Sequence, residues 1–237
     1  VQRYENISFD IKKMREAVEQ LIKIRPFEQP QKEGLLKSNA ICLNYDEKEL
    51  DEWFGGNIRG KYWTKPDASF EEMEREPYID ESRYTLFNTK LNDTYLKHVY
   101  DTLSEHFAIG RCRIIKMPPR TTLSWHRDPE KRVHISIQTN FGSRMFIEDT
   151  GFHIPADGSV YITDNTKYHT AINGGEEDRI HLVASLLNES PKTIKYLSSS
   201  NIILVANFNY FELNSTLWKS VKIILMANGS KAPLGTL

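Results

Sequence analysis

Apolar positions recur along this chain at two different periods, and the change of period divides it. Near the start, Ile11, Met14, Val18, Leu21 and Ile22 fall three and four residues apart with charges between them. That spacing places side chains on one face of an α-helix. Asp10 or Ser8 can cap its start, and Pro26 ends it. A second stripe of this kind, Leu96, Val99, Tyr100, Leu103 and Phe107, predicts a helix over residues 94–107. After Gly110 the texture changes to short alternating runs broken by turns, the pattern of an antiparallel sandwich or barrel. Strands are predicted over residues 111–117, 132–139, 144–148, 159–163 and 179–186. Pro118-Pro119 closes the first of these, and Pro155-Ala156-Asp157-Gly158 turns into the fourth. Asn173-Gly174-Gly175 separates a loop from the fifth.

Between the helices, residues 27–60 are mixed, with turn signals at Gly34, Gly55-Gly56 and Gly60. Residues 67–82 are acidic, with Glu71, Glu72, Glu74 and Glu76, and read as a solvated helix or loop. No repeat or low-complexity segment is present, and residues 190–237 mix apolar runs with Asn and Ser in no clear pattern. Helices first and short strands afterwards give an α+β class with a jelly-roll-like double sheet. The expected organisation is a helical and mixed segment over 1–110, packed on a jelly-roll core over 111–190. Residues 191–237 form a C-terminal extension of the same single domain.

Charge narrows the function classes. Thirty-one Lys and Arg against thirty-two Asp and Glu leave a formal charge of −1 over 237 residues, with 39% hydrophobic and 11% aromatic residues. A nucleic-acid binder normally carries a basic excess, and a disordered chain has few aromatics and a large charge of one sign. Cys42 and Cys112 cannot build a disulfide framework and form no Cys-x-x-Cys pair, so two thiols in a reducing compartment are expected. No apolar run approaches the ~18 residues of a spanning helix, and Val1-Gln2-Arg3-Tyr4-Glu5 has no leader-like stretch. The expectation is a cytoplasmic protein without a membrane or nucleic-acid partner. No oligomeric state follows from the sequence.

Trp125-His126-Arg127-Asp128 contains a His-x-Asp pair just before a strand, and His169 follows 43 residues after His126. Two imidazoles and one carboxylate can occupy one face of an octahedral ion and leave three positions free. That arrangement suits non-haem Fe(II), which must hold a cosubstrate and O₂ together. Alternate residues of extended chain project to the same side, which pairs His126 with Asp128, while His169 must arrive from a neighbouring strand. A His-x-Asp match alone is common by chance. Two strands add to it. Arg179, His181, Val183 and Ser185 share one face of the last strand, and Arg132, His134, Ser136 and Gln138 share one face of the second. A solvent-facing sheet also explains each pattern taken singly. Together with the His/Asp set, they describe a metal-side cavity lined by cationic donors, which fits a dianionic acid.

These residues carry a resemblance. His126-Arg127-Asp128, the run Arg132 to Ile137, the run Asp157 to Asp164, the run His169 to Asn173, and the run Asp178 to Val183 keep the order and spacing of a known family. Residues 112–187 resemble the aspartyl/asparaginyl β-hydroxylase-like family of Fe(II)/2-oxoglutarate dioxygenases, which includes free-proline cis-4-hydroxylases. The resemblance implies a double-stranded β-helix, a cupin-like jelly roll, with flanking N-terminal helices. It implies that His126, Asp128 and His169 bind iron and that Arg179 holds the far carboxylate of 2-oxoglutarate. His134, with Arg132, approaches the metal-bound end. The implied reaction hydroxylates an amino-acid side chain, free or in a peptide, with O₂ consumed, succinate and CO₂ as coproducts, and ascorbate as a supporting reductant. Animal protein hydroxylases of the group look to lack the acidic ligand, whereas Asp128 is present here, so the chain resembles the members acting on small amino acids.

Other residues have weaker claims. Trp125 is expected in the core. Arg127, Lys131 and Arg120 read as surface charges that can also meet a substrate carboxylate. His153 and His181 read as structural, His98 and His106 as surface, and Asp164-Asn165 as a turn. Residues 53–63 read as a surface loop, with a flap over the site as the functional version. Two other functions compete. A non-catalytic cupin-like binder of a metal or small acid needs no such complete set of residues. A zinc hydrolase on the same ligands lacks an accompanying general-base Glu.

Overall fold

The computed structural model describes residues 1–28, 39–76 and 78–187. The strands are β1 (Gln2–Ser8), β2 (Asn39–Cys42), β3 (Asn44–Asp46), β4 (Tyr62–Thr64), β5 (Met73–Arg75), β6 (Tyr84–Phe87) and β7 (Ile109–Met117). They continue as β8 (Thr121–Thr122), β9 (Lys131–Gln138), β10 (Ser143–Ile147), β11 (Thr150–Phe152), β12 (Ser159–Thr163), β13 (His169–Asn173) and β14 (Arg179–Leu186). The helices are α1 (Ile11–Ile24) and α2 (Tyr95–His106). None of the described helices is long and apolar enough to cross a membrane.

An antiparallel sheet in the order β1-β12-β9-β14-β7-β2 forms one wall, and a smaller one in the order β11-β10-β13-β8 forms the other. The protein is α+β with a double-stranded β-helix core. Helix α1 begins where Asp10 Oδ1 accepts from the Lys12 and Lys13 amides at 2.9 and 3.1 Å. It ends before Pro26, as the pattern requires. Its stripe, Met14, Ala17, Val18 and Leu21, packs with Leu96, Val99 and Leu103 of α2. Both stripes meet one face of the large sheet, on Val133, Ile135 and Ile137 of β9 and Ile180, Leu182 and Ala184 of β14.

Alternation then forces the remaining residues of those strands to the opposite face. Arg132, His134 and Ser136, and Arg179, His181, Val183 and Ser185, are all buried. The solvent-facing reading of these rows is therefore overturned. Helices cover one face of the sheet, and the smaller sheet covers the other.

Several strands lie outside the sequence expectation, among them β1, β5 and β13. Strand β1 pairs with β12 at the sheet edge, and its mostly exposed residues give no apolar signal. The acidic stretch contains β5, an exposed hairpin partner of β4, stabilised across the pair by Lys61 and Glu74 at 2.9 Å. Residues read as a loop before Asn173-Gly174-Gly175 form β13, in which His169, Ala171 and Asn173 are buried. The 191–237 extension lies outside the described residues.

Candidate metal centre and its cavity

The peptide carrying His126 and Asp128 is held on both sides. His126 and His169 exchange backbone hydrogen bonds of 3.1 and 2.7 Å, an isolated bridge that seats the segment against β13. On its other side, Arg127 and Trp63 of β4 exchange bonds of 2.9 and 3.0 Å. The Asp128 amide donates to the Asn165 carbonyl at 2.8 Å. Neighbours in sequence thus diverge. His126 and Asp128 point inward, while Arg127 points outward, pairing with Glu72 at 2.7 Å and lying 4.0 Å from the Trp63 ring centre. Trp125 also faces out. It is 42% exposed and stacks on Tyr168, which corrects its expected place in the core. Arg120 is an exposed partner of Glu176 at 2.7 Å.

One nitrogen or oxygen each from His126, Asp128 and His169 lies within 4.8 Å of the others. His126 Nε2 is 3.8 Å from Asp128 Oδ1, and His169 Nε2 is 4.0 Å from Oδ2. The outer nitrogens fix the tautomers. His126 Nδ1 lies 2.6 Å from the Ser124 carbonyl and His169 Nδ1 lies 2.9 Å from the Lys167 carbonyl. A carbonyl only accepts, so each Nδ1 carries the hydrogen and each neutral ring turns an Nε2 lone pair toward the carboxylate. Asn165, read as a turn residue, donates its amide to His169 Nε2 at 2.8 Å, the behaviour of a free lone pair. This donor set fits a divalent transition metal with His126, Asp128 and His169 as ligands.

Electrostatics hold the three groups in ligand-ready forms. Burial, then the neighbouring His126, pushes His169 down to about 4. Burial likewise lowers His126. For Asp128, burial acts upward, but Arg132, then His126 and His169, outweigh it and hold the carboxyl below its usual range. At neutral pH the imidazoles are uncharged and the carboxylate is ionised.

Arg132 was placed by resemblance beside the cosubstrate, and it does line the cavity. Its charge, however, is already used. Its Nε donates to Asp128 Oδ2 at 2.9 Å, and its Nη1 contacts Glu81. The Arg132 guanidinium is bonded to the Asp128 and Glu81 carboxylates, so it is not a free cation in the cavity. Glu81 in turn contacts Arg111, whose Nη1 donates to the Gly55 and Ile58 carbonyls at 2.6 Å each. A chain of buried charges therefore runs from residues 55–58 to the proposed ligand. The segment expected as a surface loop, with a flap as its functional version, forms a wall of the cavity held by these bonds. Asn57 Oδ1 also accepts from the Ala40 amide at 2.8 Å. Gly60 is required here, because a Cβ would come within 2.2 Å of Glu81 Oε1.

A cavity of about 160 Å³ opens beside the triad, with Arg179, His134, Val183 and Met145 in its lining. Arg179 is buried, and its Nη2 donates to His181 Nδ1 at 3.0 Å. No carboxylate among the described residues pairs with it, and burial alone lowers it to about 10. His134 is buried as well, with neither ring nitrogen bonded. Buried polar groups in folded proteins are normally satisfied. Both line the cavity, His134 with its hydrogen-bonding capacity unused.

Burial of His134, His169 and His181 has a consequence for stability. All three are lowered, His134 and His181 well below the usual 6.5, mainly by burial. Between the folded values and 6.5 the unfolded chain binds protons that the folded chain does not, so stability falls as pH falls through that window. Metal-free protein should lose up to ~1.4 kcal/mol per pH unit for each histidine below pH about 6.5. Urea unfolding in EDTA at pH 7.5 and 5.5 measures this, and equal stabilities would contradict neutral burial of these rings.

Residues 88–189 match the family model described as aspartyl/asparaginyl beta-hydroxylase. This is the family suggested by the motifs, matched over the segment that carries them. No curated protein matches the chain. Solved structures with partial likeness include a cupin domain from Bordetella pertussis Tohama I. It is 15% identical over 33% of this chain and 81% of that one, with a TM-score of 0.30. A cupin superfamily protein from Desulfitobacterium hafniense DCB-2 is 13% identical over 33% and 67%, with a TM-score of 0.28. A predicted oxalate decarboxylase from Thermotoga maritima is 15% identical over 56% and 95%, with a TM-score of 0.29.

Proposed function

We propose that this protein is an Fe(II)- and 2-oxoglutarate-dependent hydroxylase of an amino-acid side chain, free or within a peptide. One observation carries the reading: a buried Arg179, unpaired with any described carboxylate, shares a cavity with a His/Asp/His donor set. A buried cation without a counter-charge is costly unless a ligand supplies one. A dicarboxylate that also reaches the donor set satisfies both ends. Bound at His126, Asp128 and His169, iron would supply the O₂ chemistry that couples decarboxylation of 2-oxoglutarate, to succinate and CO₂, with hydroxylation of the substrate.

The chain's own residues do the rest. Arg179 pairs with the distal carboxylate, and His134 donates to the end nearer the ligands. Ser124 and Lys167 carbonyls keep the two imidazoles in one tautomer, and Arg132 keeps Asp128 ionised and oriented. Met145, Ala171 and Val183 line the same cavity and limit the water around the reacting groups. Balanced charge supports a small molecule or peptide as the partner, and neither nucleic acid nor membrane.

The test is conversion of 2-oxoglutarate to succinate by purified protein with Fe(II), ascorbate and O₂, screened over amino acids and peptides for a mass gain of one oxygen. No succinate above an EDTA-treated control would overturn the proposal. Arg179→Ala should raise the half-saturating 2-oxoglutarate concentration by about 10- to 100-fold, the worth of one charge-assisted pair. An unchanged value would remove Arg179 from that role.

A further inference from the structure

The β4–β5 hairpin belongs to neither wall of the double sheet, yet it is docked on the segments that carry all three donors. Its first strand alternates. Tyr62 lines the cavity, its ring edge-on to the His126 ring with centres 5.9 Å apart. Trp63 turns the other way, against the Arg127 guanidinium, and exchanges backbone bonds with the same residue.

Glu72, just before β5, completes the docking. Its carboxylate takes a forked bond from Arg127, Nε to Oε2 at 2.7 Å and Nη2 to Oε1. The Tyr168 hydroxyl donates to the same Oε2 at 2.9 Å. Arg127 lies between His126 and Asp128, and Tyr168 immediately precedes His169. One carboxylate thus joins the peptide of two donors to the peptide of the third. The forked geometry fixes its direction as well as its distance. Around this junction, Lys65 Nζ lies 5.0 Å from the Tyr168 ring centre, and Trp125 stacks on the same ring.

Isolated surface ion pairs contribute little. The Lys61–Glu74 pair is of that kind, since its 2.9 Å contact stays within the hairpin. The Glu72 and Glu74 side chains are equally exposed, at 36%. What separates them is what they touch. The backbone bridge between His126 and His169 ties the donor peptides at one point. Glu72 adds a second tie and holds Tyr62 over His126.

We propose that Glu72 is a positioning residue for the metal centre. Through Arg127 and Tyr168 it holds the hairpin and both donor peptides as one unit, and so slows escape of the metal. It touches no donor atom itself. The proposal rests on the reading of His126, Asp128 and His169 as metal ligands and adds a residue to that site. Local opening limits how long a bound ion is retained, and ties between the opening segments raise its cost.

Release of Co(II) from the full chain tests this without turnover. Protein loaded with Co(II) is mixed with excess EDTA, and the decay of its visible absorption gives the rate. Glu72→Ala should release the ion about 3- to 10-fold faster. That is less than the roughly 10- to 100-fold cost of removing a direct partner of a metal ligand. Glu72→Gln keeps the length and one acceptor and should recover part of the loss. Tyr168→Phe should speed release by less than Glu72→Ala does. Glu74→Gln should release at the wild-type rate, whereas a general loosening of the hairpin would accelerate both. Added to Arg127→Met, Glu72→Ala should have a smaller effect than alone, because its main partner is gone.

A wild-type rate in Glu72→Ala would overturn the proposal. Equal acceleration by Glu74→Gln would do the same, as would effects of Glu72→Ala and Arg127→Met that multiply in full. Glu72→Gln and Tyr168→Phe decide the matter if Glu72→Ala fails to fold. Wild-type protein that binds no Co(II) would overturn the metal assignment and this role with it. Bound Co(II) whose release ignores Glu72 would remove Glu72 alone.

Discussion

Asp128→Ala and His169→Ala protein should lose iron and, with it, more than about 100-fold of succinate formation. Loss of an outer partner of a metal ligand typically costs 10- to 100-fold, and loss of a ligand itself exceeds that range. The two residues are also coupled. Asp128 is the only carboxylate in the donor set, and it is the group toward which both Nε2 lone pairs point. Removing it leaves two neutral imidazoles beside a buried Arg132, a poor site for a dication. Iron content after dialysis and succinate yield should fall together. Wild-type iron stoichiometry or turnover in either variant would sink the metal assignment.

The largest effect on stability is expected at Glu81. This carboxylate is buried between Arg111 and Arg132, both buried themselves. Burial acts to raise it, but the coulombic fields of Arg132 and Arg111 hold it far below the usual carboxylate range. Removing one partner of a buried ion pair leaves an uncompensated charge, which costs about 3–5 kcal/mol. Glu81→Ala leaves the buried Arg111 guanidinium without its carboxylate and reduces Arg132 to its contacts with Asp128 and Glu130. Metal-free protein carrying it should therefore be at least ~3 kcal/mol less stable in urea. Its Tm should be lower by on the order of 10 °C at this chain length. A loss under ~1 kcal/mol would show that the network is not what holds residues 55–58 and Asp128 together.

How legible the molecule is from its sequence depends on what each residue touches. Helices α1 and α2 are read within a turn because their stripes are local and their caps and stops lie next to them. Strands β9 and β14 are read because one face of each is uniformly apolar. Strand β1 is missed because an exposed edge strand needs no apolar alternation. Strand β13 is missed because His169, Thr170 and Asn173 look like loop residues until their burial is known.

The candidate site divides the same way. His126, Asp128, His169, His134 and Arg179 are chemically distinctive, and their order along the chain is informative. Glu81 lies in an acidic run where nothing distinguishes it from solvated neighbours. The Ser124 and Lys167 carbonyls carry no sequence signal at all. Arg111 and Arg113 share a face of β7, and the alternation that singles out Arg132 and Arg179 would have found them.

The sequence alone determined the helices, the alternating strands and the donor types, because these depend on periodicity and on side-chain chemistry. Only the tertiary structure decided which cations are free. Charge cancels over the chain, and a sequence cannot show which carboxylate lies within 4 Å of which guanidinium. Folding spends Arg132 and Arg111 on Glu81 and Asp128, and Arg127 on Glu72. It leaves Arg179 and Arg113 facing the cavity without a described carboxylate partner, because strand register places no acid opposite them.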